Sequence, residues 1–170
     1  MSINFDKYAG SKALEDLSIY EPNVMLQAVR IAPTDAKLAQ LLNLPPAEAL
    51  SIQNWLRQRG QDLAFIQLIQ VDPGHRKKGL ASEVLTTFVR ELAEHGLGLI
   101  VLKAAALSPE GPEESKLQQW YSRFGFLPVL QTETGALMAY PQREARHCVF
   151  TLQQQSLWSD EDHVPGRTAG

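Results

Sequence analysis

The longest apolar runs of the chain predict the centre of a β-sheet. Leu63–Val71 reads Leu-Ala-Phe-Ile-Gln-Leu-Ile-Gln-Val, and Leu97–Leu102 reads Leu-Gly-Leu-Ile-Val-Leu. Apolar runs of this length, with few polar interruptions, are typical of strands that are buried on both faces. Shorter patterns predict four further strands, at Val24–Ile31, Phe126–Leu130, Ala136–Tyr140 and Arg146–Leu152.

Helical periodicity accounts for most segments between these strands, because apolar residues three and four positions apart form one stripe of a helix. The order of strands and helices predicts an α/β (α+β) domain with a mixed sheet flanked by helices. Thr34 is predicted to cap the first helix. Ser115 and Gln118 are predicted to form a capping box in the last helix. Residues 11–17 fit a short extra helix. Four stripes are found, at Leu38, Leu41 and Leu42; at Ala49, Ile52, Trp55 and Leu56; at Leu80, Val84, Leu85, Phe88 and Leu92; and at Leu117, Trp120, Tyr121 and Phe124.

Composition and charge narrow the class of protein. The chain has 170 residues and a formal net charge of -3, which predicts one domain over residues 1–152 and disfavours broad nucleic-acid binding. Residues 153–170 are polar, and we interpret them as a partly disordered tail. No apolar stretch approaches the ~20 residues of a membrane span, and the single cysteine, Cys148, suits a reducing compartment. We expect a cytoplasmic protein in which Cys148 packs as a small hydrophobic residue rather than acting as a nucleophile.

The turn between the first central strand and the third predicted helix carries the strongest chemical signal. The strand ends in Val71–Pro73, the basic turn Arg76–Gly79 follows, and a helix begins with Leu80–Ser82. Backbone N–H groups at such a turn and the positive end of the helix dipole form an anion site. Gly79 lets a phosphate approach the backbone closely, since it has no Cβ. The Lys and Ser/Thr that complete a nucleotide P-loop are missing, and a plain solvated turn is the alternative.

Two segments carry a resemblance to a known family. Val71–Pro73 followed by Arg76–Ala81 is similar to the signature Arg/Gln-x-x-Gly-x-Gly/Ala after a strand that ends in Val-x-Pro. Downstream, Trp120–Phe126 reads Trp-Tyr-Ser-Arg-Phe-Gly-Phe and resembles the pattern aromatic-Tyr-x-x-x-Gly-Phe. In this order and spacing, the two patterns resemble those of the GNAT family of acyl-coenzyme A-dependent N-acyltransferases. The resemblance covers about residues 63–140, and residues 1–62 form an atypical N-terminal part.

The resemblance implies a mostly antiparallel, twisted sheet with a V-shaped splay between the two central strands. It implies acetyl-CoA, or another acyl-CoA, as cosubstrate, no metal, and an amine as acceptor. In the family the pantetheine arm lies in the splay, often beside a β-bulge, and the pyrophosphate lies on the basic turn. Tyr121 is implied as the general acid that protonates the departing thiolate. The implied coenzyme-binding residues are Ile69, Val71, Arg76, Lys77, Lys78, Gly79, Leu80, Ala81 and Ser82.

The sequence departs from the family's pattern at three places. Glu114 and Leu117 stand where the family often has Asn and Ala before the tyrosine. Gln67 and Gln70 occupy the strand that often carries a glutamate base. The alternatives are a base at Glu113, Glu114, Asp72 or a histidine, or an amine that arrives neutral. The early helices run almost directly into Leu63, so that only one early strand is found. The exposed sheet edge then needs cover, either from the end of the chain or from a second subunit in a homodimer.

Three functions are compatible with these patterns. The first is acyl transfer to a primary amine of a small molecule, a protein or a peptide. The second is a GNAT-type toxin that acylates aminoacyl-tRNA, which the acidic net charge disfavours. The third is a catalytically inactive GNAT-like protein that binds or inhibits a partner, which the missing Asn and Glu favour.

Overall fold

A computed structural model describes residues 1–3, 15–76, 78–105 and 113–163, with side chains described up to residue 154. Its strands are β1 (Glu15–Asp16), β2 (Ile19–Tyr20), β3 (Val24–Ile31), β4 (Leu63–Val71), β5 (Ile100–Ala104), β6 (Leu127–Thr132) and β7 (Gly135–Tyr140). Its helices are α1 (Lys37–Leu42), α2 (Pro46–Arg59), α3 (Leu80–Glu94), α4 (Glu114–Ser122) and α5 (Gln142–His163), and Pro73–His75 form a 3-10 turn.

The strands form one sheet of mixed direction. Their order is β1–β3–β4–β5–β7–β6, and β2 also pairs with β3. Every pair is antiparallel except β4–β5, which is parallel because the chain returns through α3 between these two strands. The predicted fold class, a mixed and mostly antiparallel sheet flanked by helices, is confirmed.

The strands β1 and β2 form a single interrupted edge, because both pair with β3 in one continuous register. Between them the amide of Leu17 donates to the carbonyl of Ala28 at 2.9 Å. The amide of Ala28, in turn, donates to the hydroxyl of Ser18 at 3.1 Å. A side-chain oxygen thus takes the place of a ladder carbonyl. Interrupting an edge in this way limits its pairing with other strands.

The sheet separates two hydrophobic layers. On one face, α3 and α4 cover a core that includes Phe88 and Phe126. On the other face, α1, α2 and α5 cover a core that includes Leu38, Trp55 and Cys148. Residues that alternate along β4 and β5 contribute to both layers, which explains why these two strands read as continuous apolar runs.

Polar contacts also join α2 to α5. The indole Nε1 of Trp55 donates to Nδ1 of His147 at 2.9 Å. One turn further along α2, Arg59 forms an ion pair with Glu144, whose residue surface is only 8% exposed. His147 and Cys148, adjacent in sequence, are therefore both used in packing α5 onto the sheet and α2.

The structure corrects several sequence predictions. Residues 146–152 are not a strand but part of α5, because Ala145, Cys148 and Leu152 recur at helical spacing and pack into one layer. The second central strand begins at Ile100 rather than at residue 97, and it extends to Ala104. The helix predicted at residues 11–17 is wrong at its end, because Glu15–Asp16 form a strand. The rest of that prediction, residues 11–14, lies outside the described residues.

The predicted helix caps are also corrected. Thr34 does not cap α1: the N-cap is Ala36, and the carboxylate of Asp35 accepts the amide of Lys37 at 2.9 Å. The capping box expected in α4 does not form, since that helix begins after Glu113 without a side-chain cap. The predicted bounds of β3 and β4, and the ends of α1 at Asn43 and α2 at Gly60, are confirmed.

Replacement of Gly135 by alanine tests how closely β5 and β7 approach each other. A Cβ at Gly135 would lie 2.7 Å from the carbonyl oxygen of Ala104, and the φ of Gly135 is +139°. Gly60 is a matched control, because its φ of +67° is also left-handed but a Cβ there meets nothing within 4 Å. Denaturant unfolding should show a loss of about 3 kcal/mol for Gly135→Ala and about 1 kcal/mol for Gly60→Ala. Equal losses would contradict the close approach.

The buried thiol of Cys148 gives a second test. Burial raises the pKa of Cys148 from 9.0 to about 12, and the thiolate is the form that reacts. At pH 8 this shift lowers the thiolate fraction by about 1,000-fold. A thiol reagent should therefore label the native chain at least that much more slowly than the chain in denaturant. Rapid labelling of the native protein would show that Cys148 is accessible and activated.

Candidate functional site

An opening in the sheet begins where β4 and β5 stop pairing. The two strands share only three parallel residue pairs, from Ala64–Ile100 to Ile66–Leu102. Beyond them β4 continues to Val71 and β5 to Ala104 without pairing with each other. The other edge of β4 remains paired with β3 as far as Val71. The V-shaped splay therefore starts at Gln67 on one arm and Lys103 on the other.

A β-bulge at Gln67 sets the direction of the side chains along one arm of the splay. Gln27 pairs with Leu68 and Ala28 pairs with Ile66, so Gln67 is an extra residue in β4. Such an extra residue shifts the alternation of side chains by one position. The residues beyond the bulge, Ile69 and Val71, consequently pack against the same layer as Ile66, beneath α3.

The backbone of β4 presents polar groups to the splay. The amide of Asp72 donates to the carbonyl of Asn23 at 2.9 Å, on the side of β3. Successive peptide groups of a strand point to opposite edges, so those of Ile69 and Val71 point toward the splay. No strand of the described residues pairs with β4 on that edge beyond Ile66. These groups can therefore pair with an extended ligand.

The N-terminus of α3 lies directly after this strand and its short turn. Gly79 is the N-cap, with φ +77° and no side-chain cap, and the first helical bond runs from the amide of Glu83 to the carbonyl of Gly79. The amides of Leu80, Ala81 and Ser82 come before this bond and have no intrahelical partner. A Cβ on Gly79 would meet nothing within 4 Å, so the backbone of the turn is open to an approaching group.

Positive side chains surround this helix start. Arg76 and Lys78 are exposed, and neither forms an ion pair within the described part of the chain. Lys77, a third predicted contact, lies outside the described residues. Free amides, a helix dipole and unpaired cations together favour a phosphate group at this turn.

Tyr121 lies on α4 and packs against the layer that also holds Ile69, Val71 and Leu80. Its ring stands edge-on to Trp120 and Phe126, with centroids 4.9 Å and 5.7 Å away. Burial raises the pKa of Tyr121 to about 12, so the hydroxyl keeps its proton throughout the neutral range. The oxygen makes no hydrogen bond to a described residue, yet it is not fully enclosed. It can therefore donate to a bound group.

Glu114 has a structural contact of its own. One carboxylate oxygen accepts from the amides of Gln118, at 3.2 Å, and of Gln131. These bonds tie the first turn of α4 to β6. Glu114 is therefore engaged with β6 rather than free to take the place of the family's asparagine. In the splay, the polar side chains of β4 are the amides of Gln67 and Gln70.

Lys103 is a residue of the splay that sequence reasoning missed. The predicted strand stopped at Leu102, whereas the observed strand includes Lys103. Its ammonium donates to the carbonyl of Asn43, the C-cap of α1, at 2.8 Å. Partial burial lowers the pKa of Lys103. The available signal was a single lysine interrupting the apolar run Ile-Val-Leu-Lys-Ala.

Neither a metal site nor a membrane-spanning helix is found in the described part of the chain. That part contains no group of three or more His, Cys, Asp and Glu side chains that could hold a metal ion. None of its helices is both long enough and apolar enough to cross a bilayer.

The comparison with protein families matches the region that forms this site. The family described as "Acetyltransferase (GNAT) family" matches residues 49–126, from α2 to the residue before β6. Residues 49–126 are therefore similar to the GNAT family of acetyltransferases. The matched segment contains both arms of the splay, the helix start at Gly79 and Tyr121, whereas β1–β3 and the elements after residue 126 lie outside it.

Solved structures similar to this chain share little sequence with it. The anti-CRISPR protein AcrVA5 is 14% identical over 74% of this chain and 97% of its own, with a TM-score of 0.46. The ribosomal-protein-S18-alanine N-acetyltransferase from Escherichia coli is 15% identical over 77% and 70%, with a TM-score of 0.45. Naa50 of Arabidopsis thaliana, solved with a bisubstrate analogue, is 12% identical over 69% and 64%, with a TM-score of 0.43. No curated protein matches the chain.

Proposed function

We propose that this protein transfers an acetyl or other acyl group from acyl-CoA to a primary amine of a small molecule, a protein or a peptide. One observation carries the proposal: the unpaired edge of β4 leads directly to the uncapped N-terminus of α3. An extended chain that ends in a pyrophosphate fits this continuous arrangement of amides. Acyl-CoA has both parts, since its amide-bearing pantetheine arm is joined to a pyrophosphate.

Different residues of the site would bind different parts of the coenzyme. The backbone groups of Ile69 and Val71 would pair with the pantetheine amides, in the way that a peptide adds to a sheet edge. The amides of Leu80, Ala81 and Ser82 would hold the pyrophosphate. Arg76, Lys77 and Lys78 would add charge around it.

The backbone amides near Val71 are placed to polarise the thioester carbonyl as charge develops on its oxygen. In the transfer a C–N bond forms and the C–S bond breaks, while the amine loses one proton and the sulfur gains one. Tyr121 is the donor to the departing sulfur. Its pKa of about 12 keeps it protonated at neutral pH, although it is a weaker acid than a thiol with a pKa near ~8.5. Tyr121 therefore acts first as a hydrogen-bond donor to the thiolate.

The splay arm of β4 offers no carboxylate to accept the amine's proton, because Gln67 and Gln70 cannot act as bases. Glu114 is occupied at β6. An amine that arrives neutral needs no base before it attacks, and the proton that it loses as the amide forms passes to the departing sulfur or to water. We expect the rate to rise with pH through the pKa of the acceptor amine.

A charge at Gly79 tests the pyrophosphate site. Gly79→Glu places a carboxylate where the phosphates would lie, and calorimetry should show coenzyme A binding weakened well over tenfold, more than ~1.4 kcal/mol. Gly79→Ala is the control, because it carries the same left-handed strain without the charge, and a Cβ there meets open space. Unchanged affinity in a folded Gly79→Glu protein would exclude this turn as the pyrophosphate site.

Removing one hydroxyl tests the role of Tyr121. Tyr121→Phe keeps the ring contacts with Trp120 and Phe126, but the acyl-transfer rate constant should fall at least tenfold, since positioned acids contribute ~10²–10⁴-fold. Coenzyme affinity should change little. Trp120→Phe serves as the control for altered packing in the same cluster. Full activity of Tyr121→Phe on a working acceptor would remove Tyr121 from the mechanism.

A second candidate function is supported by Glu114, whose carboxylate is bonded to β6. A GNAT protein without the expected asparagine and without a base could bind coenzyme and a partner without turnover. Thiol release from acetyl-CoA with a panel of amines separates the two functions. Coenzyme binding with no thiol release on any acceptor would favour the inactive binding protein.

A further inference from the structure

Lys103 carries a positive charge at the point where the splay begins. It is the first residue of β5 beyond the last pair with β4. Its neighbours Leu102 and Ala104 belong to the layer under α3 and α4, so its side chain projects to the opposite face. There it reaches the end of α1, where Nζ bonds the carbonyl of Asn43 at 2.8 Å.

The ammonium of Lys103 can donate further hydrogen bonds. A lysine carries three N–H donors, and only the bond to Asn43 is formed within the described residues. No described carboxylate lies within ion-pair distance of it, and partial burial removes some of its water. An anionic oxygen brought to this place would gain a charge-assisted hydrogen bond.

A groove opens at Asn43, the residue whose carbonyl accepts the bond from Lys103. It has a volume of about 740 Å³ and lies between the α1–α2 connection and the turn that joins β6 to β7. The two charged residues in its lining, Glu48 and Glu133, are acidic. We call it the acceptor groove, and its lining residues are Asn43, Leu44, Pro45, Glu48, Gln131, Thr132, Glu133 and Thr134.

The coenzyme and the acceptor would lie on opposite faces of the sheet. The helix start at Gly79 and Tyr121 belong to the side of α3 and α4. Lys103, Asn43 and the acceptor groove belong to the side of α1 and α2. Because the proposed coenzyme site takes up the first side, an acceptor reaches the splay from the second.

We propose that Lys103 binds the carboxylate of a free amino acid and that this amino acid is the acceptor, its α-amine entering the splay and its side chain lying in the acceptor groove. This inference rests on the proposed acyl transfer. A carboxylate on the carbon that bears the amine lets one molecule reach both the splay and Lys103. Glu48 and Glu133 favour a basic side chain, so arginine is preferred to alanine. A peptide N-terminus has an amide in place of that carboxylate and is disfavoured.

Matched acids and amides test the role of Lys103 by binding alone. Arginine, argininamide, alanine and alaninamide are each titrated into coenzyme A-saturated protein by calorimetry. We expect arginine to bind at least tenfold more tightly than argininamide, which is about 1.4 kcal/mol. In Lys103→Gln this ratio should fall to about one, while Lys103→Arg should keep most of it. Lys37→Gln, which removes an exposed charge at the far end of α1, should leave the ratio unchanged.

Several results would overturn the proposal. They are equal binding of acid and amide to the native protein, binding of neither, or an unchanged ratio in a folded Lys103→Gln protein. A purely structural role for Lys103 would lower stability without changing the ratio. The proposed acyl transfer is tested separately. It would fail if coenzyme A did not bind, or if no acylated arginine formed with acetyl-CoA. Selective binding of arginine without acylation would support the Lys103 site while rejecting catalysis.

Discussion

The end of hydrogen bonding between β4 and β5 after Ile66 is the constraint on which the candidate site depends. Strand interiors are normally paired on both edges, because an unpaired buried backbone group loses its hydrogen bond to water without a replacement. Here β4 stays anchored to β3 along one edge as far as Val71, so its other edge is held in an extended shape without a partner strand. The fold thus presents a row of amides to a ligand.

The bulge at Gln67 makes this arrangement compatible with a hydrophobic core. If β4 alternated regularly, Ile69 and Val71 would turn away from the layer that holds Ile66. The extra residue returns both to that layer, next to the start of α3. One inserted residue therefore supports the splay on one side of the sheet and leaves Gln67 at its apex. The start of α3 and the side chain of Lys103 lie toward opposite faces of the sheet.

Much of this fold could be predicted from the sequence, because its strongest patterns are local. Apolar runs identified β3 and β4, and the left-handed residues Asn43 and Gly60 mark helix ends where predicted. Residues 146–152 resemble a strand because Cys148, the exposed Phe150 and Leu152 stand two positions apart, and packing against α2 and the sheet shows that they form a helix. The bulge at Gln67 and the contact of Lys103 with Asn43 depend on register and on residues 60 positions apart, which no local pattern encodes.

The helices α1 and α2 lie between β3 and β4 in the sequence, although these strands are direct neighbours in the sheet. The hairpins β2–β3 and β6–β7 have short turns, so their closure loses little conformational entropy. Pairing β3 with β4 requires a long loop to close first. We therefore expect the anchored edge of β4, and with it the splay, to form late in folding, because contacts distant in sequence slow the search. Until then the apolar strand Leu63–Val71 is exposed, which makes it the segment through which a partly folded chain would associate with another.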